Sequence, residues 1–95
     1  MSRELLYATV VTGPRQVIHV VRVVDEILDP AEIDGIAEMM RARMLSRHGE
    51  QMPNVVVVQG SGKETLRLFG DPHAVTRVRA AMFNAALSWA PFTLE

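Results

Sequence analysis

The dipeptide Asp-Pro occurs twice in this chain, and the same apolar spacing follows it both times. Asp29-Pro30 leads to Ile33, Ile36 and Met40; Asp71-Pro72 leads to Val75, Val78 and Met82. An aspartate before a helix accepts backbone N–H bonds, and a proline in the first turn loses nothing by lacking its own. Apolar residues three and four apart then form one buried stripe. Two amphipathic helices that open in the same way are therefore expected, and the segment before each decides what they pack on.

Before Asp71 the pattern is a β-hairpin. Val55-Val56-Val57-Val58 is β-branched throughout, which suits a pleated strand and restricts χ1 in a helix. Gly60-Ser61-Gly62-Lys63 supplies a turn, and Thr65–Phe69 alternates, with Leu66 and Leu68 on one face and Thr65, Arg67 and Phe69 on the other. Gly70 ends this strand. The helix that follows carries the stripe Val75, Val78, Met82, Ala85 and Trp89, and Pro91 stops it.

Before Asp29 the pattern is ambiguous. Glu4–Val11 reads as a strand and Thr12-Gly13-Pro14-Arg15 as a turn. Gln16–Leu28 aligns Val17, Val20, Val21, Val24, Ile27 and Leu28 as a helix would, yet Val and Ile crowd Val17–Val24 as in a strand. The Asp-Pro repeat decides for a strand over Gln16–Val24 paired with Glu4–Val11. A helix then runs from about Pro30 to about Arg47, with Glu32, Asp34 and Glu38 toward its start and Arg41, Arg43, Arg47 and His48 toward its end, as the helix dipole favours. Gly49 is a natural residue to end it, and Gly35 inside it suggests close packing against a neighbour.

The expected fold is α+β: one domain over residues 1–95, with pseudo-repeats at about 4–49 and 54–89. The order ββαββα forms a two-layer sandwich, a four-stranded, mostly antiparallel sheet with both helices on one face. Were Gln16–Leu28 helical, the order would be βααββα with a three-stranded sheet. Ile33, Ile36, Met40, Val75, Val78, Met82, Leu66 and Leu68 should lie between sheet and helices.

Composition narrows the function classes. The net charge of −1 sets up no global field for nucleic acid or acidic lipid. Without cysteine there are no disulfides and no thiolate metal sites, and a reducing compartment is compatible. No apolar stretch approaches the ~20 residues that span a bilayer, so no membrane role and a cytoplasmic location are expected.

Motifs with chemistry are few. Gly60-Ser61-Gly62-Lys63-Glu64-Thr65 resembles the tail of a phosphate-binding loop, but Val57 stands where the first glycine belongs, Glu64 takes the hydroxyl position and a strand follows, so a hairpin turn is the reading. His19, His48 and His73 lack metal-ligand spacing, and Asp25, Glu26 and Asp29 read as a solvated loop. No catalytic residue, cofactor or metal is assigned. Arg15, Arg22, Lys63 and Arg67 could gather on the sheet side or its turns, and with Phe69 or Tyr7 could stack and hold single-stranded RNA. Leu66-Arg67-Leu68-Phe69-Gly70-Asp71-Pro72-His73-Ala74-Val75 through Ala81 resembles the last strand and helix of KH domains. That small part of the chain implies a KH-like fold and RNA binding; the Gly-x-x-Gly loop of those domains is absent.

Both alternation sets of Glu4–Val11 and Val55–Val58 are largely apolar, whereas two helices on one side leave the other bare. The leading expectation is thus a non-catalytic interaction or regulatory module that forms a homodimer, or meets another protein, through its uncovered sheet. Trp89 and Phe92 in the tail either fold back over that sheet or join the contact. The alternatives are a nucleic-acid-binding domain and a small enzyme or ligand-binding protein with a pocket between helices and sheet.

Overall fold

A computed structural model of the protein describes residues 4–24, 26–60, 66–84 and 87–93. The elements in chain order are β1 (Leu5–Gly13), β2 (Gln16–Val23), α1 (Pro30–His48), β3 (Asn54–Gln59), β4 (Arg67–Phe69), α2 (Pro72–Asn84) and β5 (Ala90–Phe92). The ambiguous valine-rich stretch is a strand, so the helical alternative, and the KH-like order with it, does not hold. The fold is α+β with a five-stranded mixed sheet in the order β4-β3-β2-β1-β5. Three of its pairings are antiparallel, and the parallel one joins β2 to β3. A parallel pair needs a long crossover, which is what α1 provides.

The caps form as their residues require. Asp29 accepts from the Glu32 N–H at 2.9 Å while the Glu32 carboxylate reaches back to the Asp29 N–H, closing a capping box on α1. Asp71 accepts from the N–H groups of His73 and Ala74 at the start of α2. Gly49 ends α1 with φ +63, and its N–H returns to the Leu45 carbonyl at 2.9 Å. Gly70 joins β4 to α2 with φ +154, and a Cβ there would stand 3.0 Å from the Val55 carbonyl oxygen. Only glycine lets this turn lie so close to β3.

The helices correct the expected architecture. Leu5, Val21, Val23, Val55 and Val57 pack with Ile33, Ile36, Met40 and Met44 of α1. Ile18, Val20, Val56 and Val58 pack with Ala74 and Val78 of α2. Residues that alternate along a strand point to opposite faces, so the helices lie on opposite faces of the sheet rather than on one. Having apolar residues in both alternation sets makes β2 and β3 central strands buried on both sides. The uncovered sheet face expected to form a dimer is therefore filled by α2. Among the expected core residues, Ile33, Ile36, Met40 and Val78 are buried, while Val75, Met82, Leu66 and Leu68 are half-buried at the rim of the α2 layer.

The tail is the other correction. α2 ends at Asn84, and Trp89 lies beyond it rather than on its stripe; Ala85 falls outside the described residues. Ala90–Phe92 instead forms a fifth strand on β1, with Leu5 opposite Phe92 and Tyr7 opposite Ala90. An edge strand tolerates Pro91, and the exchange buries part of Phe92 against Tyr7, a gain no local periodicity encodes. The Gly35 expectation also fails, since a Cβ there would meet nothing within 4 Å. Residues 61–65, which hold the expected glycine turn, and Asp25 lie outside the described residues, although β3 and β4 pair antiparallel on either side of that turn.

Candidate functional site

A polar side chain inside a valine run must find partners or cost folding energy. His19 is the case in point. It lies on the α1 face of β2 between Ile18 and Val20 and is 5% exposed. Its Nδ1 is 2.7 Å from the Tyr7 hydroxyl on β1, and its Nε2 is 2.9 Å and 3.1 Å from the two carboxylate oxygens of Glu50. Antiparallel pairing brings Tyr7 and His19 close, and the left-handed turn at Gly49 swings Glu50 back over the sheet from the end of α1. Tyr7, His19 and Glu50 thus form one hydrogen-bonded chain linking β1, β2 and the segment after α1.

The order phenol, imidazole, carboxylate matches the nucleophile, base and orienting group of covalent catalysis. Electrostatics argue against that role. Burial, and then the Glu50 charge, push the Tyr7 hydroxyl above its ordinary 10.0, so it stays protonated. With the phenol as donor, Nδ1 accepts and Nε2–H donates to Glu50. The tyrosine ring is held on both sides, stacked on His19 at 6.0 Å between centroids and tilted against Phe92 at 5.5 Å. This chain fixes a tautomer and a geometry; it does not generate a phenolate.

The residues expected to form a partner surface do not converge on one. Arg22 and Trp89 do meet: the guanidinium lies 5.3 Å from the indole centroid, and Nε donates to the Gly60 carbonyl at 3.1 Å. Both are on the α2 side. Phe69 and Phe92 join the α1-side core, but from β4 and β5 at opposite edges of the sheet. Arg43 covers Phe92 at 4.6 Å and donates to the Thr93 carbonyl. Arg67 is exposed on β4, Arg15 sits in the turn between β1 and β2, and Lys63 lies outside the described residues. The two sheet faces that a base-stacking platform would use carry α1 and α2. Among the described residues, no three His, Asp or Glu side chains are grouped to hold a metal ion, and no helix is long and apolar enough to cross a membrane.

Sequence reasoning weighed His19 only as a metal ligand and Tyr7 only as a stacking surface, and it missed Glu50 and the chain that joins the three. The available signal was His19 itself, the one titratable residue in the run Val17–Val21. Glu50 carried no signal, because its approach depends on the turn at Gly49. No protein-family model matches the chain, and no curated protein or solved structure matches it.

Proposed function

We propose that the chain is a non-catalytic interaction module that works as a homodimer, joined edge to edge through β1. The observation that carries this reading is a mismatch of strand lengths. β1 runs from Leu5 to Gly13, whereas β5 covers only Leu5–Tyr7. Among the described residues no strand pairs with the rest of that edge. Its regular part, Ala8-Thr9-Val10-Val11, ends at a register shift between Val11 and Gly13. Natural sheet edges are commonly guarded by charge or proline, because open N–H and C=O groups template further pairing. This stretch has neither, and Val11 is 72% exposed.

A second copy is the occupant that fits. An antiparallel strand pairs with itself about a two-fold axis normal to the sheet, keeping each face continuous. The uncharged stretch offers no self-repulsion, and β-branched Thr9, Val10 and Val11 favour cross-strand contact. Tyr7, His19 and Glu50 support the same reading, since their hydrogen bonds tie β1 to β2 and to the segment after α1. A cytoplasmic setting belongs with it; a chain without cysteine folds there without disulfides. Sedimentation at tens of micromolar tests the proposal. The wild type should sediment as a dimer and Val11→Lys as a folded monomer. A wild-type monomer whose mass does not change with concentration overturns it.

A further inference from the structure

At the end of the sheet where the β1–β2 turn, the 50–54 segment and the start of α2 meet, there is a cavity of about 480 Å³. We infer that this cavity binds the phosphate group of a small organic phosphate, with Arg15 and Arg77 as its principal ligands. The volume lies in the range of small-ligand sites, roughly 300–1,000 Å³.

Two acids border the cavity, and both are engaged: Glu50 holds His19, and Asp71 caps α2 through the N–H groups of His73 and Ala74. The two arginines on the wall, Arg15 and Arg77, have no hydrogen bond or ion pair with any described side chain. The cavity thus presents two uncommitted guanidinium groups beside carboxylates that are already satisfied. Guanidinium forks match the oxygens of a phosphate bidentately. Thr12 and Asn54 add neutral polar groups on the same wall. The N-terminus of α2 is not the basis of the site, because Asp71 already occupies it.

The backbone points to the same place. The only two described non-glycine residues with positive φ are Arg15 at +62° and Met52 at +53°, and both line this cavity. A left-handed conformation is unfavourable for an ordinary residue, and such strain concentrates at ligand sites. Glycine would suit the Arg15 position in the turn, yet a long cation stands there. Met52 is 96% exposed beside the cavity, an apolar surface for the organic part of the ligand.

The test uses the full chain, with inorganic phosphate and pyrophosphate as probes and sodium chloride at matched ionic strength as the reference. Amide chemical shifts should move over residues 12–16 and 71–77 with both phosphates and not with chloride. Arg15→Ala and Arg77→Ala should each weaken pyrophosphate binding about tenfold or more, while Arg41→Ala, away from the cavity, leaves it unchanged. Arg15→Gly gives a sharper readout. Removing a strained residue should raise the melting temperature of the free protein, and the same change should lose binding. Uniform small shifts across the surface, or equal binding by the Arg15→Ala/Arg77→Ala double variant, overturn the inference. So does binding of an oligonucleotide with no response to either phosphate, which would mark a polynucleotide surface instead.

Discussion

Replacing Glu50 with alanine strips a buried histidine of its acceptor, and the structure sets the size of the effect. His19 is 5% exposed, and both of its ring nitrogens are bonded, one to Tyr7 and one to Glu50. A buried donor left without a partner costs about 1–3 kcal/mol. The Glu50 side chain is 36% exposed, so its charge is partly screened, and truncation lets water approach Nε2. That places the expected loss toward the lower end, about 1–2 kcal/mol. Tyr7→Phe removes only the hydroxyl and keeps the ring, and should cost about 1 kcal/mol. If the three groups act as one chain, the double variant departs from additivity by ~0.5 kcal/mol or more. Urea unfolding followed by the fluorescence of Trp89, the sole tryptophan, measures all four corners of the cycle. In a chain of this length a loss of 1 kcal/mol lowers the melting temperature by roughly 4–8 °C. A Glu50→Ala variant within ~0.3 kcal/mol of wild type, with additive behaviour, would refute the claim that His19 depends on Glu50.

The Tyr7 hydroxyl is raised above 10.0 in the fold, so between that value and its folded pKa the native state holds a proton the unfolded chain has lost; stability should fall as pH rises through this window, and Tyr7→Phe should flatten the fall, with the near-ultraviolet absorbance of the only tyrosine reporting the titration directly. Ile36→Ala removes a side chain buried against the sheet and should cost ~2–5 kcal/mol, whereas half-buried Met82→Ala should cost less; equal losses in chemical denaturation would contradict the assigned packing. Gly35→Ala adds a Cβ into open space on α1 and should stabilise the protein by up to ~1 kcal/mol, and any loss of stability in the same assay would show that the glycine has a neighbour after all.

The sequence carried the elements further than the layers. Asp29-Pro30 and Asp71-Pro72 announced both helix starts because capping is local chemistry, readable within a few residues. Gln16–Val24 reads as a strand because β-branched crowding and the repeat agree, and the strand forms over Gln16–Val23. Which face each helix covers was not local. Apolar residues in both alternation sets of β2 and β3 mean that two faces must be covered, and either a second helix or a second protein can do it. α1 joins the parallel neighbours β2 and β3 across one face, so α2, leaving the β4 edge, finds the open layer on the other. With both faces closed, the remaining unpaired surface moves to the edge of the sheet. The short tail strand Ala90–Phe92 covers only the first three residues of β1. In the sequence Ala8–Val11 is simply part of the largely apolar strand Glu4–Val11, and only the register of β5 sets it apart. The site follows the same rule. His19 stands out in a valine run, while Glu50 and Arg77 look like ordinary surface residues until the turn at Gly49 and the path of α2 bring them to the same end of the sheet.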